Sequence, residues 1–172
     1  MPSSTTVAVP AVPHHRRSIR LPGYDYSSVA AYFVTICVRD RQRVLSTIRR
    51  REVVLTGFGA CVHEAWSALP ARHRHVVLDA FVIMPDHFHG ILVLTAGPWG
   101  DEGALPRRHG LGTIVGGFKS HTARTINLAR GTSGQPFWHR NYFERIIRDP
   151  WHMRATRKYI ARNPARWRHG EG

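Results

Sequence analysis

The sequence predicts an α+β protein: a ferredoxin-like βαββαβ sandwich with an additional C-terminal helix that carries a tyrosine. Three observations predict it. Short runs rich in β-branched and aromatic residues recur at 31–38, 76–84, 87–94 and 137–147. Two stretches between them repeat apolar residues at three- and four-residue steps, the period of one helix face. One of these separates the first strand from the second and the other separates the third from the fourth, which is the split βαβ order.

The first strand is AYFVTICV, and a basic loop, RDRQRVLSTIRRR, follows it. Val54, Phe58, Cys61, Ala65 and Leu69 then mark one helical face across residues 51–69. VVLDAFVIM is the second strand, Pro85-Asp86 is turn chemistry, and HFHGILVL is the third strand, so the second and third pair as a hairpin. Residues 95–110 are rich in glycine and proline and read as a loop.

From Gly112 to Arg130, Val115, Phe118, Thr122 and Ile126 mark the second helix. Gly116 and Gly117 would each cost it about 1 kcal/mol against alanine, so either something approaches the backbone there or the helix starts later. FWHRNYFERII is the fourth strand. Asp149 is suited to an N-cap with Pro150 at the first helical position, and the last helix is expected to end near Asn163, before Pro164. The chain divides into a basic N-terminal arm at 1–20 and one domain at 21–168, long enough for a single core.

Of 172 residues, 25 are Lys or Arg and 11 are Asp or Glu, for a net charge of +14. Lys119 and Lys158 are the only lysines, so arginine supplies nearly all the positive charge. Its planar fork matches phosphate oxygens two at a time, and a charge this large favours a polyanionic partner. A nucleic acid fits better than a membrane surface, because no apolar run approaches 18 residues. The N-terminus lacks the continuous apolar segment of a signal peptide. Cys37 and Cys61 show no metal-type spacing and read as reduced, buried thiols, so a cytoplasmic location is expected.

His87 and His89 are one residue apart in a strand and therefore point to the same face, about 7 Å apart by strand geometry. Two imidazoles side by side suit a shared divalent metal. In a chain with 12 histidines, an H-x-H by chance is common. His73-Arg74-His75 has the same spacing but sits among positive residues, whereas Asp86 stands next to His87. If either pair binds a metal it is the second, and a third ligand must come from elsewhere.

Tyr159 and Asn163 lie one turn apart on one face of the last helix. A tyrosine is able to attack phosphorus, and its phenol needs positive surroundings to ionise, which Arg157, Lys158 and Arg162 would supply. The asparagine amide oxygen would serve as a hard ligand. The plainer alternatives are a half-buried ring packed on the sheet for Tyr159 and a C-cap before proline for Asn163.

AYFVTICVRDR, VIMPDHFHGILVL, LGTIVGGFKSHTARTIN, FWHRNYFERIIRD and KYIARNPARW, spanning residues 20–168, together resemble the HUH single-tyrosine transposases, especially the REP-associated tyrosine transposases. The H-x-H behind Met-Pro and the Tyr-Ile-x-x-Asn-Pro element are specific as a pair. The resemblance implies that His87 and His89 bind a metal, Mg²⁺ or Mn²⁺, that Tyr159 is the nucleophile, and that Asn163 stands at the third ligand position, where related enzymes often have glutamine. Asp86 stands where asparagine is usual. The implied activity is cleavage and rejoining of single-stranded or hairpin DNA through a 5′-phosphotyrosine, and the implied assembly is a homodimer.

Tyr142 is a rival nucleophile, but its strand pattern favours packing or base stacking. Arg16, Arg17 and Arg20 of the arm and Lys119 and Arg124 of the second helix are candidate DNA contacts. Two other readings compete. A ferredoxin-like sheet with aromatics also suits a non-catalytic nucleic-acid-binding module. A zinc-stabilised domain would need four tight ligands, and no cysteine cluster supplies them.

Overall fold

A computed structural model of the protein describes residues 21–96 and 109–167. Six strands and four helices follow in the order β1 (Ala30–Cys37), β2 (Ser46–Arg49), β3 (Glu52–Leu55), α1 (Gly57–Ser67), α2 (Leu69–Arg72), β4 (Val76–Ile83), β5 (His87–Leu94), α3 (Leu111–Arg130), β6 (Phe143–Ile147) and α4 (Pro150–Arg166). The main sheet has the order β4-β5-β1-β6, with every adjacent pair antiparallel. The α+β ferredoxin-like expectation holds, with α4 as the added helix.

Alternation along the strands sends two sets of side chains to opposite faces. Tyr32, Val34 and Ile36 of β1 and Phe88, Leu92 and Leu94 of β5 pack against Val62 and Trp66 of α1 and Ile114, Phe118 and Ile126 of α3. Gly90 lies where this packing is tightest: a Cβ there would sit 2.7 Å from the Phe88 ring and 2.8 Å from Trp66. The other face carries the histidines, and α4 crosses it. Ile91, Ile147 and Ile160 form a small second core there, edged by Phe33, Val82, Val93 and Met153. The cover that Ile91 needs thus comes from the chain's own last helix.

Several expectations change. Residues 46–55 are not loop and helix start but a hairpin, β2–β3, turning through Arg50 and Arg51 at φ 50° and 69°. The helix expected from residue 51 begins at Gly57, where Thr56 caps it by accepting from the Gly59 N–H at 3.1 Å. In the stretch 137–147 only Phe143–Ile147 pairs as a strand, while Phe137 and Trp138 turn into the main core and Trp138 keeps an isolated bridge to Val38. The last helix does not stop at Asn163: Pro164 lies inside α4, which ends at Arg166. Pro164 has no N–H to donate to the Ile160 carbonyl one turn back, while its own carbonyl accepts from the Trp167 N–H at the helix end.

α3 runs through Gly116 and Gly117 from Leu111, and a Cβ at either would meet none of the described atoms within 4 Å. Both halves of the glycine expectation therefore fail for the described residues. The two cysteines are free and half-buried rather than fully buried.

Candidate active site

β5 begins directly after the Pro85-Asp86 turn, so His87 and His89 enter the sheet side by side on the α4 face. Both are more than nine-tenths buried, and their ring centroids are 4.5 Å apart. Each Nδ1 is engaged. Asp86 Oδ1 accepts from the His87 Nδ1–H in a short hydrogen bond, and His89 Nδ1 lies 2.8 Å from Thr35 Oγ1, its register partner on β1. The carboxylate of Asp86 accepts the His87 Nδ1–H and so leaves the His87 Nε2 lone pair free, which is how an outer partner readies an imidazole for a metal; the Thr35 hydroxyl holds the His89 ring in place.

The electrostatics favour a neutral His89. Burial, and then the positive neighbours His87 and Arg41, push the His89 pKa down to about 3, with Asp86 pulling weakly the other way. Burial opposes ionisation of Asp86, but its bond to His87 and the charges of His87 and Arg41 outweigh that and hold its carboxyl below the usual range. Arg41 Nε lies 3.2 Å from Asp86 Oδ2 and its Nη1 donates to Cys37 Sγ at 3.1 Å.

α4 brings the tyrosine to this pair. Tyr159 Oη is 3.4 Å from His89 Nε2, and Phe33 packs against both rings, at 5.2 Å from His89 and 5.9 Å from Tyr159. A cleft of about 280 Å³ is lined by Thr35, Arg41, both histidines, Tyr159, Asn163, Arg166 and Trp167. Asn163 therefore reaches the same cleft, with its Nδ2 donating to the Tyr159 carbonyl at 3.1 Å, which leaves its amide oxygen for another partner. Among the described residues no three His, Cys, Asp or Glu side chains cluster as a metal site. Two neutral imidazoles plus an amide oxygen nevertheless fit a divalent cation that fills its remaining positions with water and phosphate oxygens.

Several expected cations lie elsewhere. Arg157 makes a two-pronged ion pair with Asp79, with Nε 2.8 Å from Oδ1 and Nη2 2.6 Å from Oδ2, and so anchors α4 to β4 rather than facing solvent phosphate. A β-bulge between Leu78 and Phe81 holds Asp79 there. Lys119 is spent on the loop before β6, donating to the carbonyls of His139 and Arg140 at 2.9 Å each. Lys119 and Arg124 belong to α3, across the sheet from the histidines. Lys158 and Arg162 are exposed on α4 but do not line the cleft. Arg16, Arg17 and Arg20 lie outside the described residues. Tyr142 packs at the main core, with the Lys119 ammonium 5.9 Å from its ring.

The cations that line the cleft are instead Arg41 and Arg166, which the sequence reading did not single out. Arg41 is hidden among three alternating arginines after β1, Arg39, Arg41 and Arg43, that look like any basic loop, and nothing local distinguishes it. Trp167, 6.1 Å from the His87 ring and with the Arg43 guanidinium 5.5 Å from its own, was missed as well.

Among the described residues no helix is long and apolar enough to cross a membrane. Compared with protein-family models, the chain matches none. It is 36% identical over 166 residues to an uncharacterized protein of Haemophilus influenzae, covering 90% of this chain and 91% of that one. Among solved structures it superposes on a REP-associated tyrosine transposase bound to a REP hairpin, with a TM-score of 0.54 and 23% identity over 82% of this chain and 68% of that one. With more than a third of its residues shared along nearly its whole length, this chain belongs to the same family as the Haemophilus protein, and it has the fold of a REP-associated tyrosine transposase.

Proposed function

We propose that the protein is a transposase of the single-tyrosine kind, a metal-dependent enzyme that nicks and rejoins single-stranded DNA at hairpins. The observation that carries this reading is the meeting of Tyr159 with His89 in one cleft, 3.4 Å apart, beside a second, pre-oriented imidazole. A phenol beside paired histidines on a strongly basic chain suits attack on a phosphodiester better than passive binding.

In the proposed reaction Tyr159 Oη attacks phosphorus in line. The phenol gives up its proton to solvent as the new O–P bond forms, the bond to the 3′-oxygen breaks, and that oxygen takes up a proton. The 5′ end is left as a phosphotyrosine, and a second 3′-hydroxyl reverses the step to join strands without ATP. Arg41 and Arg166, which line the cleft, would offset charge on the phosphate. His87, His89 and Asn163 would hold a Mg²⁺ or Mn²⁺, which when bound polarises and orients the scissile phosphate. Lys158 and Arg162, and the arm residues Arg16, Arg17 and Arg20, are proposed to contact DNA outside the cleft. The working unit is proposed to be residues 21–168 with residues 1–20 as a basic arm. A homodimer is part of the proposal, and the Tyr159–His89 contact within one chain supports a phenol that serves its own histidines.

The test is a denaturing gel of protein incubated with single-stranded hairpin DNA and Mn²⁺. A covalent adduct is expected from the parent, and none from Tyr159→Phe or His87→Ala. DNA binding that survives both substitutions, with no adduct from the parent on any hairpin tried, would leave a nucleic-acid-binding module instead.

A further inference from the structure

β6 is an edge strand, and its register with β1 sets Phe143 opposite Thr35 and Arg145 opposite Phe33. By alternation Phe143 and Arg145 therefore share the face that carries the histidines. α4 covers that face over β4 and β5 but leaves this corner open: Phe143 is 61% exposed and Trp151, in the first turn of α4, is 65% exposed. Between them runs a groove of about 600 Å³, whose lining includes Phe33, Phe143, Arg145, Trp151, Thr156 and Tyr159. Tyr159 lines both this groove and the histidine cleft, so the two meet at the phenol ring.

We infer that this groove seats single-stranded DNA flanking the phosphate that meets Tyr159. The inference rests on the proposed strand-transfer reading. Two exposed aromatics on one groove offer flat faces to bases, and stacking of this kind is indifferent to sequence. Arg145, and Arg148 on the adjoining surface, give the positive border that a phosphate backbone needs. Glu144 also lines the groove, but Arg145 and His152 flank it, and the whole chain is at +14. The exposed edge of β6 offers the alternative occupant, a second copy of this chain paired strand to strand.

The measurement is metal-free fluorescence anisotropy with two labelled probes, a DNA hairpin bearing a ten-thymidine single-stranded tail and the same hairpin without it. Phe143→Ala and Trp151→Ala are each expected to weaken binding of the tailed probe roughly 5- to 100-fold and to leave the untailed probe alone. Trp151→Phe keeps a ring and is expected to stay near parental affinity, and Arg145→Ala is expected to reduce the salt slope by about one. Equal effects on both probes, or none on either, would overturn the inference, as would loss of a dimer in Phe143→Ala with tail binding intact. Because no chemistry is needed, tail binding is read independently of adduct formation: a parent that forms no adduct sinks the strand-transfer reading alone.

Discussion

Arg157 on α4 and Asp79 on β4 face each other through two parallel N–H···O bonds, across 78 residues of sequence. Arg157 sits half a turn before Tyr159, so this pair sets how far the phenol reaches over the sheet. Both side chains are partly exposed, and such pairs add little to global stability. Arg157→Ala is therefore expected to leave the melting temperature nearly unchanged while adduct formation slows. Hydrogen exchange in α4 should rise, and Arg157→Lys, which loses the fork, should restore activity only in part. An unchanged adduct rate in Arg157→Ala would show that Ile160 alone docks the helix.

Asp86 holds His87 by one carboxylate oxygen and Arg41 by the other. Asp86→Asn keeps the shape but loses the charge that fixes the ring. The Mn²⁺ concentration giving half-maximal adduct should rise about 10- to 100-fold. The rate at saturating Mn²⁺ should change less, and equal losses at all metal concentrations would place the role of Asp86 elsewhere.

The metal-free protein should lose stability as the solution is acidified, in a window set by His89. Its native pKa is about 3 against 6.5 in the unfolded chain. Between those values the unfolded chain binds a proton that the native one refuses, so stability is complete above pH 6.5 and falls as pH drops toward 3. In EDTA, urea melts of the parent minus those of His89→Gln should show this as a slope of up to about 1.4 kcal/mol per pH unit. Parallel pH profiles for the two proteins would contradict it.

Gly90→Ala places a methyl against Phe88 and Trp66, both fully buried. Neither ring has room to retreat, so the substitution is expected to destabilise by about 1–3 kcal/mol, read from the urea midpoint. Since Gly90 adjoins His89 on the strand, adduct formation should drop as well, even where the protein remains folded. A stable Gly90→Ala would mean that α1 shifts to make space.

The elements the sequence made legible are those whose periodicity is set by burial. β1, β4 and β5 pack in the main core, and α1 and α3 each present an apolar stripe to it, so their patterns are visible in the chain. The β2–β3 hairpin is not, because its turn uses Arg50-Arg51 at positive φ in place of Asn-Gly. Its strands are also mostly exposed, so no alternation announces them. The histidines, Tyr159 and Asn163 were raised by type and spacing and assigned by the family resemblance, and they share a cleft. The surrounding cations were not found in this way: which arginine lines the cleft depends on how the loop after β1 folds back, while Arg157 and Lys119 are committed to partners 78 and about 20 residues away.

For the proposed reaction, the contact between Tyr159 and His89 of one polypeptide predicts the kinetic order of the first cut. A chain that carries its own attacking group and its own imidazoles should nick at a rate per molecule that dilution does not change. Only the joining of two separately held ends should then slow as the protein is thinned out.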